Sequence, residues 1–237
     1  MGERPCADSR GWGAWRWPPS SLLGSLRETS RDRFLEQGTT RQYLAGQVLI
    51  REGDSTKFVI ALFDGVVKAT GVTLDGKETL LAIRVGGDIV GEFAALDGGP
   101  RSTTVTTCGT VVGRVIRHAD FLSVIRRDGQ LAEAVNRSVV AKVRSANARR
   151  VDFAGYDAPT RLTRVLRELA VQYGERSGNR VVIAWPLTQP ELASLAAVAE
   201  PTAQKALRRL RESGVIDTGY RSLTIVDLEE LNRLADM

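Results

Sequence analysis

The sequence predicts an α+β protein: a β-rich N-terminal half, one long helix, and a C-terminal part of short helices followed by a hairpin. Three observations support this prediction. Short apolar segments in the first half are separated by glycine-containing turns every 8 to 12 residues or so, which is typical of an antiparallel barrel or roll. A stretch without Gly or Pro then covers residues 131–153. Beyond it, two short helix-forming segments each begin with a proline.

Composition limits the class of protein. The chain has 237 residues and a formal net charge of +5, which allows one large domain or two small ones and is compatible with a polyanionic partner. No apolar run is long enough to cross a membrane. Residues 1–20 place tryptophans among Gly, Pro, Arg and Ser without the apolar core of a signal peptide, so they are interpreted as a flexible tail. We therefore expect a cytoplasmic protein without membrane contact.

Cysteine and histidine content gives no support for metal chemistry. Cys6 and Cys108 are too few for a disulfide framework and too far apart for metal-ligand spacing. His118 is the only histidine. The chain also lacks a nucleophile–base constellation, so we do not expect an enzyme.

The first half begins with helical spacing and then changes to a period of two. Residues 20–38 carry apolar positions at helical spacing, and the segments 47–53 and 58–63 are predicted strands. The dipeptides Asp64-Gly65 and Asp75-Gly76 are both hairpin signals.

The stretch Gly86–Val105, GGDIVGEFAALDGGPRSTTV, combines two turns, a short helix-like run and a β-branched strand. Gly91 allows a close approach of the backbone, and the N–H groups that open the short helix form a seat for an anion. Glu92 is an acceptor for hydroxyl groups, and Arg101 is a bidentate donor for phosphate. A surface turn with an incidental ion pair is the alternative.

The long helix of residues 131–153 carries an apolar stripe of heptad spacing. Ala132, Val139, Ala146 and Phe153 recur every seven residues, with Val135 and Val143 between them. Such a stripe predicts packing on a partner helix across a two-fold axis, or else packing on the roll of the same subunit. Residues 155–159, GYDAP, break the helix and are predicted to form the domain boundary and a hinge.

A second motif lies in Leu187–Leu210, LTQPELASLAAVAEPTAQKALRRL. Thr188 is a predicted N-cap, and Glu200-Pro201 begins a second helix. The core stripe of that helix is Ala203, Ala206, Leu207 and Leu210. Two short helices with this spacing predict a helix-turn-helix whose second helix enters the DNA major groove, and residues 214–226 predict a hairpin wing. A three-helix bundle with a merely solvated basic face is the alternative.

Both motifs resemble those of one family. GEFAALDGGPRSTTV is similar to the phosphate-binding cassette of cyclic-nucleotide-binding domains, and with the helix-turn-helix the chain resembles the Crp–Fnr family of bacterial transcription regulators. The resemblance implies a roll over residues 21–130, a dimerisation helix over 131–155 and a winged helix-turn-helix over 156–237. It assigns ligand contacts to Gly91, Glu92, Phe93, Ala94, Arg101, Ser102, Thr103 and Asn147. It assigns DNA contacts to Thr188, Thr202, Gln204, Lys205, Arg208, Arg209 and Arg221.

The resemblance also implies an effector and partners. The effector expected in the roll is cyclic AMP, with cyclic GMP as the alternative, and the partners are double-stranded DNA and a second copy of the chain, with RNA polymerase as a further candidate. Two other hypotheses stay open. The first is a DNA-binding regulator that either needs no ligand or responds to an effector other than a cyclic nucleotide, and the second is a sensor that acts through protein contacts.

Several residues depart from the family pattern. Ala146 and Asn147 align with the Thr-Ser pair that contacts adenine, so the choice of nucleotide is not fixed by the resemblance. Glu200-Pro201 stands where the cyclic AMP receptor protein has Arg-Glu, and Ala197 occupies a turn position that is usually glycine. The operator sequence therefore cannot be carried over.

Overall fold

A computed structural model describes residues 15–76, 78–178, 180–183, 188–219 and 222–237. The chain divides into two compact units. The N-terminal unit extends to Ala69 and also contains Ile83–Ala141, and the C-terminal unit contains Thr70–Ala82 and Lys142–Met237. In the described ranges, no helix combines the length and the apolar character that a membrane span requires.

The N-terminal half forms two four-stranded sheets, ordered β1-β8-β3-β6 and β2-β7-β4-β5. Its helices are α1 (Leu22–Ser25), α2 (Glu28–Leu35), α3 (Glu92–Asp97) and α4 (His118–Arg127). Its strands are β1 (Thr39–Tyr43), β2 (Val48–Ile50), β3 (Val59–Asp64), β4 (Val66–Val72), β5 (Glu78–Val85), β6 (Ile89–Val90), β7 (Thr104–Thr107) and β8 (Val111–Ile116). β8 pairs antiparallel with β1 and β3, and β2 pairs antiparallel with β7. The predicted antiparallel roll is confirmed.

The two predicted hairpins have different outcomes. β4 and β5 are neighbours in one sheet around Asp75-Gly76, so that hairpin is confirmed. The hairpin predicted at Asp64-Gly65 is wrong, because β3 and β4 belong to different sheets and the chain crosses from one to the other there. Gly65 has φ +88°, and a Cβ on it would lie 2.5 Å from the carbonyl oxygen of Thr110. The left-handed turn is therefore real, but a bend between sheets uses the same local chemistry as a hairpin.

The end of the predicted tail packs on the roll. The indole nitrogen of Trp17 donates to the carbonyl oxygen of Phe63 at 2.9 Å, and the two rings lie 5.9 Å apart. The Arg31 guanidinium lies 5.7 Å from the Trp17 ring. The Trp15 ring is 6.4 Å from Phe63. The flexible tail predicted for residues 1–20 therefore does not extend to residue 20 in this structure, and residues 1–14 lie outside the described ranges.

A buried carboxylate fixes the start of the long helix α5 (Gly129–Gly155). Asp128 is 6% exposed, and its Oδ1 accepts hydrogen bonds from the Leu131 backbone N–H at 3.0 Å and the Ser30 hydroxyl at 3.1 Å. Burial opposes ionisation of Asp128, but these hydrogen bonds and the charge of Arg33 outweigh it and lower its pKa below the usual value. The capping aspartate thus anchors α5 to α2.

The C-terminal unit surrounds a four-stranded sheet ordered β11-β12-β10-β9. Its further elements are α6 (Ala158–Tyr173), β9 (Glu175–Ser177), β10 (Arg180–Ile183), α7 (Gln189–Leu195), α8 (Glu200–Glu212), β11 (Ile216–Gly219), β12 (Ser222–Ile225) and α9 (Leu228–Ala235). β11 and β12 pair antiparallel as the predicted wing. Two further elements have no counterpart in the sequence prediction: the short strand β9 that follows α6, and the helix α9 that follows the wing.

Candidate anion pocket and nucleic-acid interface

Helix α3 begins at a glycine that no other residue could replace without displacement. Gly91 is the N-cap of α3 with φ +86°. A Cβ on Gly91 would lie 2.6 Å from Nη1 of Arg101 and 2.9 Å from the carbonyl oxygen of Phe58. Glycine therefore supplies both the left-handed backbone and the space for the arginine side chain.

Arg101 is held by three protein acceptors. Its Nη1 donates to the carbonyl oxygen of Gly91 and its Nη2 to that of Phe58, each at 2.7 Å. Its Nε donates to the hydroxyl oxygen of Thr56 at 3.1 Å. The guanidinium carbon also lies 4.7 Å from the Phe58 ring centre. Each nitrogen of the planar fork thus makes a defined bond, which fixes the direction of the side chain.

Two charged groups of the cassette are almost completely buried. Arg101 is 2% exposed and Glu92, the first residue of α3, is 4% exposed. Burial lowers the pKa of Arg101, although the negative charges of Glu92 and Asp54 act in the opposite direction. An arginine remains cationic under such conditions. The two groups together form a buried cation and anion at the start of one short helix.

The loop between β2 and β3 is hydrogen-bonded to the cassette. The Arg101 backbone N–H donates to the carbonyl oxygen of Asp54 at 2.9 Å, and the Gly53 N–H donates to the carbonyl oxygen of Arg101 at 2.9 Å. Lys57 donates from Nζ to the carbonyl oxygens of Gly98 and Gly99 beyond the end of α3. Sequence reasoning missed this loop, because its supporting bonds go mostly to main-chain carbonyls and have no residue signature.

The other predicted ligand residues lie in different environments. Phe93 and Ala94 follow Glu92 on α3, the former half-buried and the latter buried. Ser102 is exposed and Thr103 half-buried, directly after Arg101. Asn147 lies on an exposed position of α5 in the C-terminal unit. The structure thus brings Gly91, Glu92 and Arg101 together.

The first helix of the predicted helix-turn-helix begins with a complete capping box. The Thr188 hydroxyl accepts from the Glu191 N–H at 3.3 Å, and Glu191 Oε2 accepts from the Thr188 N–H at 2.9 Å. These reciprocal bonds satisfy backbone donors that the first turn leaves unpaired. Thr188, a predicted DNA contact, therefore caps the helix, and its side chain is also exposed.

The second helix separates an apolar face from a polar face as predicted. Ala203, Ala206, Leu207 and Leu210 are all buried, which confirms the core stripe. The exposed residues of α8 include the predicted DNA contacts Gln204, Lys205, Arg208 and Arg209. Thr202 is half-buried, and Arg221 lies outside the described residues. Gln204 Nε2 donates to Glu200 Oε1 at 3.0 Å, so this predicted base reader is bonded to its own helix.

The turn between α7 and α8 contains a strained alanine. Ala197 has φ +51°, and of the residues that the structure describes it is the only one other than glycine with positive φ. A side chain with a Cβ in this region costs about 1–2 kcal/mol. An alanine at this turn position, which is usually glycine in the family, therefore introduces backbone strain.

Replacing Ala197 with glycine is expected to stabilise the C-terminal unit. Ala197→Gly should raise the free energy of unfolding by about 0.5–1 kcal/mol, because the relief of strain exceeds the added freedom of the unfolded chain. Thermal denaturation of the full chain measures this change. The control Ala148→Gly, at an exposed position of α5, should lower stability by about 1 kcal/mol. A lower melting temperature for both variants would contradict the strain argument.

Comparisons with known proteins agree with both halves of this description. Residues 40–128 match the profile of the cyclic nucleotide-binding domain, and residues 160–234 match that of the Crp-like helix-turn-helix domain. The chain is 31% identical over 191 residues to a CRP-like cAMP-activated global transcriptional regulator of Mycobacterium tuberculosis, covering 80% of this chain and 85% of that protein.

Solved structures share the fold. A CooA mutant from Carboxydothermus hydrogenoformans superposes with a TM-score of 0.75 at 17% identity, over 93% of this chain and 98% of the other. The c-di-GMP responsive global regulator CLP of Xanthomonas campestris has a TM-score of 0.68 at 17% identity, over 84% of this chain and 99% of the other.

Proposed function

Because the chain belongs to the Crp–Fnr family of transcription regulators, we propose that it is a dimeric DNA-binding protein controlled by cyclic AMP at its α3 cassette. The observation that carries the proposal is the buried pair of Glu92 and Arg101 beside the left-handed Gly91. A guanidinium suits a cyclic phosphate, and a buried carboxylate suits the ribose hydroxyl. The relative from Mycobacterium tuberculosis is cAMP-activated.

The exposed half of α5 supports the dimer. Of the predicted stripe, Val135 is buried at 1% exposure and Ala132 and Val139 are half-buried, so the first turns pack within the N-terminal unit. Farther along, Val143 is 48% and Phe153 61% exposed. A row of exposed apolar residues on one helix favours burial against a second copy. The buried first half of the stripe supports packing within one subunit, and the exposed second half supports the proposed dimer.

The proposed mechanism links the effector to the spacing of two α8 helices. A ligand shifts an equilibrium only if it binds the two states with different affinity. We assign this differential contact to Asn147, as the predicted partner of the purine, and the hinge to Asp157. The DNA-binding units of a cytoplasmic dimer would then match half-sites about one helical turn apart at promoters read by RNA polymerase.

A regulator that binds DNA without a cyclic nucleotide, or with another small effector, is the second candidate. It is favoured by the bonds of Arg101, which is 2% exposed and already donates to Thr56, Phe58 and Gly91. A phosphate reaches this guanidinium only after local rearrangement. The CLP regulator of the same fold responds to c-di-GMP, a larger nucleotide.

Calorimetric titration of the full chain with cyclic AMP and cyclic GMP tests the proposal. The wild type should release or absorb heat with cyclic AMP. Glu92→Gln, which keeps the shape and removes the charge, should weaken binding about tenfold to a hundredfold, since a hydrogen bond to a charged group contributes about 1.5–3 kcal/mol. The matched control Glu78→Gln, at an exposed position, should bind like the wild type. No heat with either nucleotide, together with intact DNA binding, would favour the second candidate.

A further inference from the structure

One arginine of α6 bonds to the ends of two other helices. Arg161 Nη1 donates to the carbonyl oxygen of Tyr156 at 3.2 Å. Its Nε donates to the carbonyl oxygen of Ala196 at 3.2 Å, and its Nη2 to that of Ala197 at 2.8 Å. The guanidinium carbon lies 5.2 Å from the Phe153 ring centre. All these residues belong to the C-terminal unit.

Two of the three acceptors are carbonyls at helix ends, and the third lies in the turn that follows α7. Tyr156 directly follows α5, Ala196 is the C-cap of α7, and Ala197 is the strained residue of the helix-turn-helix turn. The last carbonyls of a helix lack intrahelical donors and carry partial negative charge, so a cation stabilises them. Neither α5 nor α7 has a basic residue in its own last turn. Arg161 supplies the missing cation to both.

The start of α6 holds this arginine in place. Asp157 is the N-cap of α6, and its Oδ1 accepts from the Thr160 N–H at 2.9 Å. Hydrogen bonds from the Thr160 backbone and side chain lower the pKa of Asp157, the Arg161 charge lowers it further, and together they outweigh the opposing effect of burial. The hinge residue that caps α6 thus stands four positions before the guanidinium that contacts the helix-turn-helix.

We infer that Arg161 is a positioning residue that couples the end of the long helix to the turn before α8. A movement at the end of α5 displaces Tyr156, and the planar fork transmits that displacement to the two carbonyls that precede the recognition helix. The inference rests on the proposed function only for the origin of the movement, namely an effector that biases α5. The bonds themselves require no effector.

A purely structural role predicts different results from a coupling role. If Arg161 only stabilises the fold, its loss lowers the melting temperature and leaves the ratio of DNA affinities with and without effector unchanged. If it couples the two ends, Arg161→Lys keeps the charge, loses the fork and lowers that ratio. Coupling between sites of regulatory proteins is typically about 5-fold to 150-fold in affinity.

The experiment uses the full chain, a DNA duplex selected from a random-sequence pool, and cyclic AMP as the probe. We expect Arg161→Lys to bind cyclic AMP as the wild type does, and the enhancement of DNA affinity by cyclic AMP to fall below about threefold. The control Arg167→Lys makes the same change on the same helix, where the guanidinium contacts Asp236 at 2.6 Å. It should retain the full enhancement.

Hydrogen exchange provides a readout that does not depend on the effector. In Arg161→Lys the amides at the end of α5 and in the turn around Ala197 should both exchange at least about tenfold faster, whereas Arg167→Lys should change neither. If only one end loosens, or if both loosen without any change in DNA affinity, the coupling inference is overturned. If cyclic AMP does not change the DNA affinity of the wild type, cyclic AMP is not the effector. The role of Arg161 is then still decided by the hydrogen-exchange rates together with the DNA affinity measured without effector.

Discussion

DNA binding is expected to weaken by about three to five orders of magnitude between 50 and 200 mM salt, if the proposed dimer contacts about six to ten phosphates. Each cation that neutralises a phosphate releases a condensed counterion, and salt opposes that release. The exposed face of α8 presents Lys205, Arg208 and Arg209 in the element expected to enter the major groove. Fluorescence anisotropy with a selected duplex at several salt concentrations gives the slope.

A single charge removal sharpens this test. Arg208→Gln should reduce the salt slope by about one for each phosphate that the protein no longer neutralises, and therefore by about two for the dimer. Arg208 is an exposed side chain whose ion pair with Glu212, at 3.9 Å, is long. The control Arg137→Gln removes the same charge from an exposed position of α5 in the N-terminal unit. Equal slopes in both variants, or salt-insensitive binding, would instead favour a winged unit that contacts proteins.

The sequence alone predicts those elements whose ends and buried faces are marked by capping residues and by apolar spacing. The α8 stripe was predicted residue by residue, because apolar residues at helical spacing must face a core. The Thr188 cap followed from a threonine three positions before a glutamate. The crossing at Asp64-Gly65 was not predictable, since a hairpin and a bend between sheets both require a left-handed glycine.

The contacts that position the site were beyond sequence reasoning for a related reason. Arg101 was identifiable from its place in the cassette, but two of its partners, Thr56 and the carbonyl oxygen of Phe58, lie more than forty positions away. Arg161 likewise contacts carbonyls of alanines 35 and 36 positions ahead. Any residue offers a main-chain carbonyl, so the sequence does not indicate which carbonyls a guanidinium will reach.

The cassette glycine is expected to tolerate substitution poorly. Gly91→Ala should lower the free energy of unfolding by about 3 kcal/mol, the sum of a left-handed alanine and an overpacked side chain. The added Cβ would meet Arg101 Nη1 at 2.6 Å and the Phe58 carbonyl oxygen at 2.9 Å. The arginine end can move away from the new methyl group, but Phe58 directly precedes the buried strand β3 and its carbonyl cannot move as easily. Urea denaturation of the full chain measures the decrease.

A substitution at the opposite end of α3 distinguishes the cost of backbone strain from the cost of steric overlap. Gly98 is the C-cap of α3 with φ +74°, and a Cβ on it would meet nothing within 4 Å. Gly98→Ala should therefore cost only the left-handed strain, about 1 kcal/mol. The remaining difference of about 2 kcal/mol would measure the close approach of Arg101 to the α3 backbone. If cyclic AMP binds at the cassette, Gly91→Ala should also weaken it more than Gly98→Ala, because only the first displaces the phosphate-binding guanidinium. Equal costs for the two variants would mean that Gly91 is required for its turn and not for the approach of Arg101.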